Sequence, residues 1–86
     1  MQAQNGNASA AVRTGGGVLC GFILQADSAA ATLALDDSTD GSGTVLGSVA
    51  CNAGESAVVT GIQVPFSDGL YCALTGTGAQ FTAYIK

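Results

Sequence analysis

The chain has 86 residues and a net charge of −4, with six acidic residues, two basic ones (Arg13 and Lys86) and no histidine. So few cations disfavour binding to nucleic acid or to an anionic membrane, because both depend on clustered Lys and Arg. They also disfavour catalysis, since proton shuttles and activated nucleophiles are built mainly from His, Lys and Arg. We therefore expect a structural or binding module and not an enzyme.

The chain begins with a polar stretch that has no hydrophobic periodicity. We expect residues 1–7 to form a flexible polar arm, which lacks the basic region and apolar core of a signal peptide. Alternation of apolar and polar residues then starts, and turn residues interrupt it at the ~8–12-residue spacing of β-sandwiches and barrels. Residues 8–86 are therefore predicted to form a single domain.

The first two strands are predicted at Ala8–Thr14 and Val18–Gln25, with a turn of three glycines between them. The second strand has apolar residues on both faces: Val18, Cys20, Phe22 and Leu24 on one, Leu19 and Ile23 on the other. This pattern predicts either a central strand that is covered on both sides or a strand with one face against another subunit.

Five more strands complete the prediction: Ala31–Asp36, Thr44–Cys51, Ser56–Val64, Leu70–Thr75 and Gln80–Ile85. In the first of these, Leu33 and Leu35 should point inward and Asp36 outward. Pro65 has no N–H to donate, so strand pairing should end there or the strand should lie at a sheet edge. Seven to eight short antiparallel strands make a small all-β sandwich the expected fold class.

The loop Asp36–Gly41 has the sequence Asp-Asp-Ser-Thr-Asp-Gly, which matches the opening of a calcium-binding loop. The twelfth position of such a loop should be a bidentate Glu, and here it is Gly47. We prefer a solvated hairpin loop with Asx turns, with a weak calcium site as the alternative. No metal ion or cofactor is predicted.

The three cysteines, Cys20, Cys51 and Cys72, form an odd set without CxxC spacing. We expect buried free thiols, and a Cys20–Cys72 disulfide only if their strands are neighbours. The six carboxylates lie in or beside predicted turns, and a domain this thin should have little room for a cleft of ~300 Å³. We therefore predict no catalytic residue.

Four residues are candidates for an interface. Phe66 and Tyr71 are in the most distinctive segment, Val64–Tyr71, where Phe66 either plugs one end of the core or joins a contact patch. Tyr71 and Tyr84 should face away from the core. Arg13 is either a plain surface charge or the partner of a neighbouring carboxylate.

Three segments resemble a group of small phage virion proteins. Their pattern is T-G-x-G-x-L-x-G-I, then T-L-x-L-x-D, then V-x-F-x-x-G-L, and the matching segments are 14–23, 32–37 and 64–70. The resemblance covers most of the chain from Val12 onward. The three thiols, and Phe22 beside Ile23, depart from the pattern.

The resemblance implies a jelly-roll-like β-sandwich that acts as a capsid cement, or head decoration, protein. Such a protein is made in the host cytoplasm and binds on the outer surface of the capsid, between subunits of the major capsid protein, and stabilises the head. It supplies no catalytic residues. A homotrimer around a local threefold axis would suit this role. The alternative is a small tail, fibre or host-surface-binding module, which the absence of Trp disfavours because glycan platforms usually use that residue.

Overall fold

The computed structural model describes residues 2–86, and Met1 lies outside them. Within this range all the regular structure is β, and no helix is found. The strands are β1 (Gln2–Gly6), β2 (Ala10–Thr14), β3 (Gly17–Gln25), β4 (Ala31–Asp37), β5 (Thr44–Cys51), β6 (Ser56–Val59), β7 (Val64–Phe66), β8 (Gly69–Thr75) and β9 (Gln80–Ile85).

The strands form two antiparallel sheets that pack face to face. Sheet A has the order β1-β9-β3-β6, and β7 also pairs with β3; sheet B has the order β2-β8-β4-β5. Because β6 and β7 pair with successive parts of β3, they act as one interrupted strand. If β6 and β7 are counted as one strand, every connection between successive strands except β4–β5 passes from one sheet to the other. This connectivity is that of a jelly roll. The predicted sandwich is confirmed.

Pro65 lies in β7, at the edge of sheet A beyond β3. An edge strand needs ladder hydrogen bonds on one side only, so the missing N–H is tolerated there. The single strand expected over Ser56–Val64 is instead divided, because residues 60–63 leave the sheet between β6 and β7.

The core lies between the two sheets and is built from residues that alternate along the strands. Leu33 and Leu35 are fully buried, as their positions predict. The other fully or almost fully buried apolar residues include Leu19, Phe22, Leu24, Phe66, Leu70, Cys72, Phe81, Ala83 and Ile85. Each sheet therefore contributes one face to a shared interior.

A β-bulge in β3 reverses the alternation predicted for this strand. The pairing with β9 shifts between Leu19 and Gly21, so Cys20 is an extra residue. Leu19 therefore points inward with Phe22 and is fully buried, whereas Cys20 is only half-buried. The predicted grouping of Cys20 with Phe22 on one face is wrong, because a bulge cannot be read from local alternation.

A second bulge lies near the start of β5, opposite the end of β4. Leu35 pairs with Gly47 but Asp36 pairs with Val45, so one residue of β5 is extra. Asp36, which was expected to be solvated, is only 6% exposed. It lies across from Tyr71 of β8, whose ring also contacts Gly41, and the loop after β4 thus folds over this part of sheet B.

The N-terminal segment also differs from expectation, since Gln2–Gly6 form β1 where a flexible arm over 1–7 was predicted. β1 pairs antiparallel with β9, from Gln2 opposite Ile85 to Gly6 opposite Phe81. A Cβ on Gly6 would lie 2.5 Å from the Phe81 ring, so glycine is needed there. Over residues 3–6, β1 adds no side chain to the core, and its polar sequence therefore gave no hydrophobic signal.

Candidate interaction surface

The outer face of sheet A carries a shallow apolar groove of about 320 Å³. Its lining comes from β3, β9 and the segment that follows β6: Cys20, Gly21, Ile23, Thr60, Gly61 and Tyr84. Val58 is next to this groove, because it pairs with Ile23 in the ladder between β6 and β3. We call these seven residues the sheet A patch.

Strand alternation explains why the patch faces outward. Phe22 and Leu24 point into the core, so Ile23 between them points away from it. Tyr84 lies in the same way between the buried Ala83 and Ile85. Both outward side chains are half-buried, and Val58 is 59% exposed.

The sheet A patch is uncharged. The five strands of sheet A contain no Asp, Glu, Lys or Arg. The acidic residues lie instead on β4 and in the loops, at positions 27, 36, 37, 40, 55 and 68. A partner can therefore cover the patch without desolvating a charge. Desolvation of a charge carries a large free-energy penalty when an interface forms.

The patch bears on the two expectations for the doubly apolar strand β3. β3 lies inside sheet A, between β9 and the β6–β7 strand. Its inner face contacts sheet B. Its outer face is covered by Val59 and Thr60 at the buried Gly21, and it is half-buried at Ile23. This partly covered apolar face is a candidate contact surface.

The four predicted interface residues do not form one surface. Tyr84 belongs to the sheet A patch, whereas Tyr71 and Arg13 are half-buried on β8 and β2 of sheet B. Phe66 is 5% exposed and packs in the core. Its ring is not available to a contact patch, and of the two interpretations of Phe66 the structure favours the core plug.

Sequence reasoning did not single out Ile23 and Val58 as candidate surface residues. The signal for Ile23 was present in the apolar character of both faces of β3. The exposure of Val58 depends on β6 being an edge strand, and this follows only from the sheet order. Cys20 was expected to be buried, and the bulge brings it to the groove.

Two carboxylates of the acidic loop, those of Asp37 and Asp40, accept local hydrogen bonds, whereas the buried Oδ1 atom of Asp36 has no partner among the described residues. Asp37 accepts hydrogen bonds from the backbone N–H groups of Ser67 and Asp68, the latter at 2.8 Å, and so ties β4 to the turn before β8. The Asp68 N–H lowers the pKa of Asp37 below its usual 3.8. Asp40 accepts from the hydroxyl and backbone N–H of Ser42, which lower its pKa.

These bonds favour the hairpin-loop interpretation of Asp36–Gly41 over a calcium loop. Asp37 is directed at another turn, and Asp40 forms the Asx turn that was expected. Within residues 2–86, no group of three or more Cys, Asp or Glu side chains is placed to hold a metal ion.

All three cysteines are free thiols. Cys20 is on β3 of sheet A and Cys72 on β8 of sheet B, so their strands are not ladder neighbours. Burial, and then the charge of Asp36, raises the pKa of Cys72 to about 12. Its thiol therefore stays protonated and inert at neutral pH.

Two further grooves lie at the end of the sandwich that contains the turn over residues 52–55. One, of about 720 Å³, lies between the C-terminal end of β5 and the start of β6; the other, of about 500 Å³, includes Asp27, Glu55 and Gln80. We expected little room in so thin a domain for a cleft of ~300 Å³. This expectation is wrong, because the loops at this end of the sandwich form open surface grooves of larger volume.

Comparison of the chain with protein-family models, with curated proteins and with solved structures identifies no match. Over residues 2–86, no helix has the length and apolar character needed to span a bilayer. The interpretation of function therefore depends on the surface of the sandwich itself.

Proposed function

We propose that this chain is a structural virion protein of the capsid cement type, which binds on the outer surface of a phage head between major capsid protein subunits. The observation that carries this proposal is the sheet A patch, an uncharged apolar face on an otherwise acidic sandwich. A protein of this kind acts by surface complementarity and needs no reacting group. The jelly-roll topology suits it, because a rigid sandwich presents a fixed binding face.

The distribution of charge supports the same role. The patch supplies an apolar centre, while Asp68 lies beside the start of β3 and Asp27 and Glu55 lie beside its end, where they can meet basic groups at the rim of a partner. Rim charges mainly raise the association rate and set orientation, so binding should weaken moderately as salt rises. A net charge of −4 also keeps the protein from competing for packaged DNA.

Stabilisation of the head follows from linkage. A protein that binds only the assembled arrangement of capsid subunits stabilises that arrangement by ~2.7 kcal/mol per site at a free concentration 100 times its Kd. Hundreds of sites on one particle add up to a large effect. The homotrimer is part of this proposal, since three copies would place three patches around one local axis of the shell.

Two exposed valines provide a matched test of the patch. Val58 and Val45 are both 59% exposed, but Val58 is beside the sheet A groove and Val45 is on β5 of sheet B. We expect Val58→Asp to weaken binding to heads that lack the protein by at least tenfold, because a carboxylate would be desolvated in the contact. Val45→Asp should change binding by less than threefold.

Binding is measured by co-sedimentation with heads, and head stability by the temperature at which DNA is released. The proposal predicts a higher release temperature with the wild-type protein than with Val58→Asp. If Val58→Asp binds and protects heads as well as the wild-type protein does, the sheet A patch is not the capsid contact.

A second candidate is a tail, fibre or host-surface-binding module, and the grooves beside the turn over residues 52–55 favour it. These grooves are large enough to take part of a glycan. Glycan-array binding together with only a few copies per particle would support this function over the cement role, which requires copies in the hundreds.

A further inference from the structure

The outer face of sheet A changes from apolar to polar toward the C-terminal end of β3. Side chains alternate along a strand, so the outward residue after Ile23 is Gln25, and Gln25 pairs with Gln80 of β9. On its other side, Gln25 pairs with Ser56 of β6. One row across the sheet therefore carries three uncharged polar side chains, and all three are exposed.

A groove of about 380 Å³ lies on the β1 side of this row. Its polar lining consists of four carboxamide residues and one hydroxyl residue: Asn5, Asn7, Gln25, Gln80 and Thr82. Asn5 is the ladder partner of Thr82, so these two side chains share the outer face with the two glutamines. We call these five residues the amide groove.

The carboxamides of the amide groove are available to a ligand. Over residues 2–86, none of the four takes part in a side-chain hydrogen bond within the protein. Each carboxamide has two N–H donors and a carbonyl acceptor. The groove therefore suits a ligand whose groups both donate and accept hydrogen bonds, as hydroxyl groups do.

Charge and shape narrow the class of ligand. The lining of the amide groove contains no Lys or Arg, so a phosphate or carboxylate would find no counter-charge there. The groove of about 500 Å³ shares Gln25 and Gln80 with it and adds Asp27 and Glu55, which would repel an anion. The aromatic residue in the lining, Phe81, is only 2% exposed, so the groove offers no apolar pocket to a peptide side chain.

We propose that the amide groove binds a neutral oligosaccharide, whose hydroxyl groups form hydrogen bonds with the carboxamides of Asn5, Gln25 and Gln80. Jelly rolls serve as lectin domains as well as capsid proteins, so the fold is compatible with this use. The groove is open and has no exposed aromatic ring on which a sugar could stack, so we expect a Kd in the millimolar range.

The site is separate from the sheet A patch, since Gln80 lies about 13 Å from Tyr84 along β9. The proposal therefore does not depend on the capsid role. It gives the tail, fibre or host-surface alternative a ligand class and a site, but it does not require that alternative.

NMR titration of the 15N-labelled full-length protein with maltotriose, cellotriose and N-acetylchitotriose, each up to ~20 mM, tests the proposal. At least one of these sugars should shift the side-chain amide signals of Gln25 and Gln80 in a saturable way. Gln80→Ala should raise the Kd at least fivefold. Gln63→Ala is the matched control, because Gln63 is an exposed glutamine outside the groove, and it should change the Kd by less than twofold.

Two comparison ligands test the ligand class. A sialylated trisaccharide, which is an anion, should bind more weakly than the neutral sugars, and an uncharged peptide of glycine and serine should not shift the groove signals. The shifts in the wild-type protein need no variant, so they remain informative if Gln80→Ala does not fold. Absence of saturable shifts with all three neutral sugars would overturn the proposal, as would equal effects of the two alanine variants or binding of the peptide.

Binding to heads separates this proposal from the cement role. Gln80→Ala should bind heads within threefold of the wild-type protein while it loses affinity for the sugar. If Gln80→Ala instead loses head binding and keeps the sugar-induced shifts, the groove belongs to the capsid contact and the oligosaccharide proposal is wrong.

Discussion

Replacement of Phe66 by alanine tests the placement of this ring in the core. Phe66 is 5% exposed and lies so close to Gly17 that a Cβ there would be 2.8 Å from the ring Cζ atom. Truncation of a buried phenylalanine costs about 3–5 kcal/mol. Domains have ~0.05–0.15 kcal/mol of stability per residue, or roughly 4–13 kcal/mol for this chain. The variant should therefore lose at least about a fifth of the wild-type free energy of unfolding.

Urea denaturation followed by far-UV circular dichroism measures this loss, as a lower midpoint at an unchanged slope. Tyr84→Ala is the control, because Tyr84 is half-exposed on the outer face and should lose only ~1 kcal/mol. If the alanine variant does not fold, Phe66→Leu provides a folded protein whose stability can be measured, with an expected cost of ~1–2 kcal/mol. If Phe66→Ala costs no more than Tyr84→Ala, the ring is a surface residue and the reasoning fails.

The contact with Gly17 gives an independent check. Gly17→Ala should cost ~1–3 kcal/mol in the wild-type background through overpacking, and clearly less in Phe66→Leu, where the shorter side chain leaves room. Because the two residues touch, their effects should be non-additive by more than ~0.5 kcal/mol. Additive losses would contradict the observed packing.

Three further predictions concern the acidic loop and the thiols. Hydrogen bonding lowers the pKa of Asp37 in the folded state, so the stabilisation by this carboxylate is complete above the unfolded pKa of 3.8 and is lost as the pH falls through the folded pKa. The stability advantage of the wild-type protein over Asp37→Asn in urea titrations should therefore narrow below about pH 4. An advantage that stays constant down to pH 2 would exclude this role. Cys72 should react with a thiol reagent at pH 8 only on unfolding, whereas Cys20 and Cys51 should react in the native protein; equal rates for all three would contradict the burial of Cys72. Gly43→Ala would place a Cβ 2.1 Å from the carbonyl oxygen of Asp37. Calorimetry should therefore show a Tm at least several degrees lower than that of the wild-type protein. An unchanged Tm would mean that the loop does not have the described conformation.

The fold class and most strand positions follow from local alternation along the chain. The strands Thr44–Cys51 and Gln80–Ile85 lie where alternation predicts them, because a side chain's face in a regular strand depends only on its position along the strand. The same rule placed Leu33 and Leu35 in the core. It also showed that β3 is apolar on both faces, which was the first sign of the sheet A patch.

Features that depend on a partner strand were decided only by the tertiary structure. The bulge at Cys20 in β3 and the bulge near the start of β5, opposite Asp36, are defined by pairing with β9 and β4, and local alternation reveals neither. β1 joins sheet A through backbone hydrogen bonds that need no apolar side chains, so its polar residues gave no signal. Sheet order likewise decides which strands lie at an edge, because ladder pairing joins residues that are far apart along the chain. The free edge of β5 and the open face beside Val58 both follow from that order.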